Sequence, residues 1–554
     1  MEVRAAGTAG LSSASLIAAR LWDAFDETRP AGPHLSVWNG SEFEDFTWDG
    51  WRTRAERAAV ALRKLGVAPG DYVPCVLTNS PATCAAALGI WLAGGVIVSL
   101  PTPARGMNGD IYSRQITTIC ESLGAERILL EERFAAALGD EGLGGVDAVS
   151  FESLDADGRI SPVPPGLNDI AFVQYSSGST GDPKGCMLTT RAMERQLDIL
   201  AEGLELDPAR DQTVAWLPLS HDMGFFGCLM LSFAKGMRLA MSSPERFLRA
   251  PRTWFGDCAR VQATMTVAPN FALELAARAA RRSPPPARFP MRTCILGGER
   301  IEATTLDAAT EALGPYGLTP DTLLPAYGLA EAVLAVTMAR VPDPPTTLTL
   351  DGPSLARGVV CPPDGDARRL VAAGRPLRGV SVRIDGEDGG VGEICIRTPS
   401  LASGYVDNPE ETSARFVGDE LRTRDLGFIR DDQLYVVGRL DDMLCVAGRN
   451  IWARDIEAAI SSCGAARPGS AALVDVAGTR LVLLVEPPKG ATDHEAVGCE
   501  SSRVAVETAG LKPDECLVLP PGTLPKTPSG KIQRFRCRSL AASEAVEPLA
   551  RVTP

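Results

Sequence analysis

The sequence predicts an α/β fold in two parts. A large N-terminal domain of αβ-layered sheets carries a β-rich subdomain, and a small α+β C-terminal domain follows. Three observations predict this. The chain has 554 residues, more than one ordinary core accommodates. Short apolar runs alternate with helical patterns as far as Gly328, as expected of parallel sheets covered by helices. Residues 341–375 are then rich in Pro, Gly and Asp, and short strand patterns with turns come after them.

Each element follows from local pattern. Residues 12–27 have helical apolar spacing. "HLSVWNG" and "FEDFTWDGW" predict a hairpin leading into a helix over 51–66. "DYVPCVLTN" predicts a buried strand over 71–79, with a helix through 82–94 and the strand "GVIVSLP" after it. "RILL" and "AVSF" predict strands between helices, and "DIAFVQYSSGST" a strand entering a loop, with a helix from about Thr190. "TVAWLPL", "TMTVAPN", "TCILGGE" and "TLLPAYG" predict further buried strands, the last two running into turns. Ligands collect where such strands end at their carboxyl side. In the later part, "VSVRID", "GEICIR", "GFIRDDQLYVVGR" and "DMLCVAG" predict short strands. From 453 a helix, the strands "SAALVDV" and "RLVLLVE", a second helix and a final loop form the small domain. The boundary falls at Leu440–Asp441, giving domains 1–440 and 441–554.

Composition excludes several classes. A net charge of −14 argues against non-specific nucleic-acid binding, so an anionic ligand needs a local site. No apolar run is long enough for a membrane span. Residues 1–20 lack a secretory pattern, which makes the cytoplasm the expected location. The 14 cysteines form no CxxC pair and read as reduced core residues, and three histidines are too few for a His-rich metal site. Seven of the 55 basic residues are lysine, and three of these, Lys184, Lys526 and Lys531, fall in Gly/Ser/Thr/Pro-rich loops.

One of those loops, "QYSSGSTGDPKG", sets three glycines, four Ser/Thr hydroxyls and Lys184 between a strand and a predicted helix. Its glycines let backbone N–H groups converge on an anion, its hydroxyls add donors, and Lys184 supplies charge. It is not a Walker A loop, because Pro183 stands where that motif needs Gly. Taken alone, it reads equally well as a flexible surface loop. Other segments add complementary groups. "AYGLAEA" carries the Tyr327 ring, able to stack on a base, and the Glu331 carboxylate, able to hold Mg²⁺. "RTRDLGF" carries Asp425, able to grip ribose hydroxyls, "VGRLDDML" adds Arg439, and "LPKTPSGKIQR" carries Lys531. Each has a bland alternative: an exposed helix face, a solvated turn, a C-terminal tail.

In this order and spacing, these segments resemble the adenylate-forming superfamily of acyl-CoA synthetases, firefly luciferases and nonribosomal-peptide adenylation domains. The resemblance covers nearly the whole chain. "LPLSHDMGFFG", "APNFALEL", "AYGLAEAVLAVT", "LARGVV" and "LPKTPSGKIQRFRCR" look like the fatty acyl-AMP ligase branch. Residues 341–373 sit where that branch carries an insertion, thought to hinder CoA thioesterification. The resemblance implies an acid and ATP as substrates, Mg²⁺ as cofactor, acyl-AMP and pyrophosphate as products, and an acyl-carrier protein as acceptor.

It also implies roles for particular residues. Ser176, Ser177, Gly178, Ser179, Thr180, Gly181 and Lys184 would wrap the phosphates, with Thr180 and Glu331 holding Mg²⁺. Gly298, Glu299, Ala326 and Tyr327 would frame adenine, and Asp425 and Arg439 would hold ribose. Lys531 would bridge the substrate carboxylate and the α-phosphate. Asp441 would be the hinge that makes the C-terminal domain mobile. His221, Phe225, Phe226, Gly297 and Gly328 would border the acyl pocket, although His221 and both phenylalanines read equally well as core.

The chain departs from relatives at Thr423-Arg424-Asp425, where Gly is usual in the middle, at Ser220 before His221, where Tyr is usual, and at Ile451-Trp452-Ala453. None of these removes an expected ATP ligand, but the last two leave acid and acceptor open. The expected activity is therefore an acyl-AMP ligase. The alternatives are a CoA ligase, a relative that activates another oxyanion such as nitrite to diazotise an arylamine, or one that forms an amide. Intact Lys531, Glu331 and Asp425 argue against a non-catalytic nucleotide sensor.

Overall fold

Two parallel-cored sheets dominate the computed structural model. It describes residues 2–4, 34–103, 109–135, 138, 142–175, 183–365, 367–440, 443–446, 449–476, 480–526, 532–543 and 546–554. The first sheet has the strand order Asp147–Ser150, Arg127–Leu130, Tyr72–Cys75, Val96–Ser99, Ile170–Tyr175, Gly185–Thr189. All its pairings are parallel except the last, where Ile170–Tyr175 meets Gly185–Thr189 antiparallel. The second sheet has a parallel centre of Leu323–Gly328, Thr293–Leu296, Met265–Ala268, Gln212–Ala215, Arg238–Met241 and Leu35–Trp38. Antiparallel strands border it at each edge: Phe43–Phe46 on one side, Ala335–Met338 and Arg375–Pro376 on the other. The predicted hairpin and strands thus form, with ends shifted by a few residues, and helix Trp48–Lys64 begins three residues before the predicted start. The strand Gly185–Thr189, directly after the glycine-rich loop, was not predicted. The expected helix over 12–27 lies outside the described residues.

Polar side chains stitch the carboxyl ends of the two sheets together. Buried Asn79, just beyond Tyr72–Cys75, donates to the carbonyls of Leu217 (2.9 Å) and Ser242 (2.8 Å) and accepts from Leu219 N–H at 3.0 Å. Gln174, at the end of Ile170–Tyr175, donates to Ser220 O at 3.0 Å. Buried amides cost free energy unless paired, so these contacts fix the register between the sheets where a ligand would bind. The core of this part draws on residues from Leu35 to Leu434.

The later part builds the expected β-rich sheet from Ser381–Asp385, Gly392–Arg397, Glu420–Arg430 and Gln433–Arg439. Residues 341–373, weakly periodic in sequence, contain the antiparallel hairpin Thr347–Asp351 and Ala367–Val371 with helix Gly352–Ala356. Leu350, Leu355 and Leu370 pack it onto Phe428 and Tyr435 of the adjoining sheet. The C-terminal part has separate cores drawn from residues 444–552. Its sheet orders Ala471–Val476, Arg480–Val485, Glu515–Val518 and Ala550–Val552. The last two strands and helix Arg534–Ser543 occupy what the sequence suggests is a final loop. Arg368 of the hairpin makes a bidentate pair with Asp455 of helix Ala453–Ser462, at 2.6 and 2.7 Å. No described helix is long and apolar enough to cross a membrane.

Candidate active site

The ribose and adenine candidates converge. Strand Leu323–Gly328 ends beside the sheet that carries Glu420–Arg430, which brings Tyr327 to Asp425 across 98 residues of sequence. The Tyr327 hydroxyl donates to Asp425 Oδ2 at 2.7 Å, and Arg439 Nε donates to Oδ1 at 2.8 Å. Cross-strand register already sets Asp425 opposite Arg439. The Asp425 N–H donates to Thr423 Oγ1, whose own hydroxyl is spent on Ile394 O. Burial, and then the Asp425 carboxylate, push the Tyr327 phenol well above its ordinary value, so it remains a donor.

Glu331 stands on a one-turn helix, Ala330–Ala332, between the antiparallel strands Leu323–Gly328 and Ala335–Met338. Val333 closes that turn at φ 67°, a left-handed conformation that is strained for a β-branched residue. The return chain passes so close to Gly328 that a Cβ there would lie 1.8 Å from Leu334 O, so only glycine fits. Glu331 Oε1 accepts from the Tyr405 hydroxyl at 2.6 Å and from Arg415 Nη2 at 3.3 Å. Its Oε2 accepts no hydrogen bond from any described residue. Buried Arg415 also binds the carbonyls of Arg422 and Thr423 and lies 3.6 Å from Glu411. Glu411 in turn holds Lys184 Nζ at 2.6 Å. A chain of alternating charge thus links Glu331, Arg415, Glu411 and Lys184. Burial alone would raise the Glu411 pKa, but the Lys184 hydrogen bond and the charges of Lys184, Arg415 and Arg424 outweigh it and hold the carboxyl below its ordinary value.

The acid-side candidates separate into two groups. His221 is one-third exposed and is no core residue; its Nδ1 lies 2.6 Å from Asp222 Oδ1. Met223 N–H donates to the same carboxylate oxygen at 2.7 Å and to His221 Nδ1 at 3.3 Å, so both side chains cap the short helix that begins at Asp222. Phe225 and Phe226 are fully buried and pack on Phe172 with centroids 4.6 and 5.0 Å away. Gly297 is buried and Gly298 exposed, the latter at φ 77°, where L side chains are strained. The Glu299 carboxylate accepts from Phe271 N–H at 2.7 Å at the start of helix Asn270–Arg282, and Ala326 O lies 3.4 Å from where a Cβ on Gly297 would stand.

The AMP-binding enzyme family model matches residues 24–406. The chain belongs to this family. It is 32% identical over 521 residues to the putative ligase Rv1013 of Mycobacterium tuberculosis, covering 91% of this chain and 94% of that protein. It is 30% identical over 535 residues to the long-chain-fatty-acid–AMP ligase FadD26 of the same species, covering 89% and 91%. In fold it matches a structure from a study of fatty acyl-adenylate ligases of E. coli and L. pneumophila, with TM-score 0.82 and 25% identity over 95% of this chain and 98% of that one. It also matches the L. pneumophila fatty acyl-adenylate ligase in complex with acyl adenylate and pyrophosphate, with TM-score 0.72 and 26% identity, covering 97% and 98%. This AMP-binding enzyme is an AMP-forming ligase.

Several expected site residues of this AMP-binding enzyme lie outside the described residues: Ser176, Ser177, Gly178, Ser179, Thr180, Gly181, Asp441 and Lys531. The flanks of the Lys531 loop are described. Lys526 and Ile532 pair as an antiparallel bridge, and Gln533 N–H donates to Pro525 O at 2.9 Å. Lys526 Nζ donates to Ser470 Oγ at 2.6 Å, and Glu486 Oε1 accepts from the N–H groups of Gly522 (2.9 Å) and Leu524 (3.0 Å). Tyr405, Glu411, Arg415 and Asn79 are site-shaping residues that motif reading does not find. Glu411 and Arg415 could have been suspected from "NPEETSAR", whose i, i+4 spacing puts an acid and a base on one helix face.

Proposed function

We propose that this enzyme joins a carboxylic acid to the α-phosphate of ATP, releases pyrophosphate, and hands the acyl group to the phosphopantetheine thiol of a carrier protein in the cytoplasm. The carrying observation is Asp425, a buried carboxylate fixed from both sides by Tyr327 and Arg439 at the carboxyl end of the parallel sheet. A fixed anion there suits two vicinal ribose hydroxyls and nothing that carries negative charge. Unpaired thiols among the described cysteines fit a reducing compartment.

In this reading an acid oxygen attacks the α-phosphorus, the bond to the β-phosphate oxygen breaks, and pyrophosphate leaves. Lys531, which follows the bridge-forming Lys526 and precedes its partner Ile532 in sequence, neutralises charge on the attacking carboxylate and the α-phosphate. Lys184 and the loop 176–181 receive the departing pyrophosphate. Glu331 suits a hard cation: it is a carboxylate with one oxygen fixed by Tyr405 and Arg415 and the other accepting from no described residue. With Thr180 it would hold Mg²⁺, which supplies charge neutralisation on the phosphates. Domains 1–440 and 441–554 would then turn about Asp441 between adenylation and transfer. The carrier is favoured over CoA because the hairpin within 341–373 is tied to the C-terminal part through Arg368 and Asp455.

The test is acid-dependent release of pyrophosphate, followed by an offer of CoA or a pantetheinylated carrier protein. Carrier acylation well ahead of acyl-CoA formation is expected. Equal rates would defeat the assignment of acceptor, and release that does not depend on any acid would defeat the adenylation itself.

A further inference from the structure

We infer that the acid activated by this enzyme is compact, a short-chain or single-ring carboxylic acid, in contrast to the long-chain substrate in the name of the relative FadD26. The inference rests on the adenylation reading above and deepens it.

The acid must bring its carboxylate to the nucleotide corner, where strands end at Gly297–Gly298 and at Gly328. The helical segment beginning at Asp222 faces those glycines. Met223 Sδ lies 3.2 Å from where a Cβ on Gly298 would stand, and 4.0 Å from that of Gly297. One turn on, a Cβ on Gly227 would lie 3.1 Å from Leu334 Cδ2. The Leu334 carbonyl, in turn, abuts Gly328. The helix wall and the strand wall therefore touch one helical turn below the glycines.

Accessibility gives the same floor. Gly227, Gly328 and Leu334 are half-buried, so solvent still reaches them. Behind them Cys228 to Leu231 are at most 1% exposed, and Leu296 and Val336 are fully buried. A tunnel wide enough for an alkyl chain leaves accessible surface on its walls, and these residues have none to spare. The remaining side is closed by the ring cluster of Phe225, Phe226, Phe172 and Trp91, with Phe225 and Phe226 centroids 5.1 Å apart and Trp91 6.0 Å from Phe225. A close-packed core of this kind yields space only by separating rings that pack edge to face. Glycine at 227 keeps the slot open at the top but provides no depth.

The full-length enzyme, with ATP and Mg²⁺, is assayed for pyrophosphate release on acetate, butyrate, hexanoate, benzoate, laurate and palmitate. The best compact acid should exceed palmitate in kcat/KM by at least about tenfold. Leu334→Ala, which withdraws one side of the floor, should move the optimum toward longer acids. Gly227→Val should depress hexanoate more than acetate. Melting temperatures confirm that both variants fold. Laurate or palmitate as the best wild-type acid would overturn the inference and leave adenylation standing, as would an unchanged chain-length profile in folded Leu334→Ala. Absence of release with every acid would overturn the adenylation reading and this inference with it.

Discussion

The two sides of the cleft are built differently. The nucleotide side is a buried polar network in which Tyr327, Asp425 and Arg439, and then Glu331, Arg415, Glu411 and Lys184, hold one another at hydrogen-bond or ion-pair distance. The acid side is glycine and close-packed apolar surface, with His221 and Asp222 the polar pair at its edge. Charge on the first side is fixed by partners from distant strands, and shape on the second by contact. Substitutions on the polar side should change rate and ATP affinity, whereas substitutions on the apolar side should change which acid is taken.

The largest expected effect concerns Lys531, proposed above as the cation at the α-phosphate. Lys531→Ala should lower kcat for pyrophosphate release by about a hundredfold to a thousandfold, the usual loss when one donor to a developing charge is removed. The melting temperature should hold, because the chain before the loop is fixed by Lys526, Ser470 and Glu486. Near-wild-type release would remove Lys531 from the mechanism. Next comes Asp425→Ala, which leaves the Tyr327 hydroxyl and Arg439 without their shared acceptor. KM for ATP should rise by about ten- to a hundredfold, and stability should fall by about 2 kcal/mol from the orphaned partners. An unchanged KM would show that the carboxylate serves the fold alone.

Glu411→Gln sharpens the comparison, because it removes an anion from the side meant to receive one. ATP should bind about twofold more tightly, since Lys184 no longer satisfies a carboxylate before a phosphate arrives. The folded-state pKa of Glu411 lies below its ordinary 4.5, so its contribution to stability is complete above that value and is lost as pH falls through the depressed one. Melting curves of wild type and Glu411→Gln should therefore differ at neutral pH and converge in acid. A gap that persists at the lowest pH would mean that the glutamate acts through packing.

The same contrast explains what the sequence discloses. Tyr327 is legible as a candidate because it ends an apolar run that stops at glycine, whereas Asp425 lies inside strand Glu420–Arg430 and Glu331 on a one-turn helix, where only the motifs around them mark them. The parallel centres of both sheets are legible for the same reason. Glu411 and Arg415 are not, because a short helix with two acids and a base looks like any solvated face until Lys184 and Glu331 are brought beside it. Phe225 and Phe226 are ambiguous for a related reason: aromatic residues after a histidine could line a pocket or fill a core, and only their packing on Phe172 and Trp91 decides. The strand Gly185–Thr189 is hidden because its pairing is made by the antiparallel return of the loop before it, which no local pattern reports.

A last effect, on stability and not on ATP, concerns Arg424, where the resemblance to adenylate-forming enzymes leads one to expect glycine. Its φ is 61°, a left-handed conformation that costs a side-chain-bearing residue about 1 kcal/mol or more. The backbone is held there because the Arg424 N–H donates to Glu393 at 2.9 Å while the next residue, Asp425, turns inward to Tyr327. The strain therefore serves the polar side, and the Arg424 charge also helps keep Glu411 ionised. Arg424→Gly should raise stability by about 1 kcal/mol in denaturant unfolding, with ATP affinity changed less than by Asp425→Ala. A loss of stability instead would mean that the arginine's contacts outweigh the backbone it strains, and the tight turn before Asp425 would then be held by the side chain and not by the Glu393 hydrogen bond.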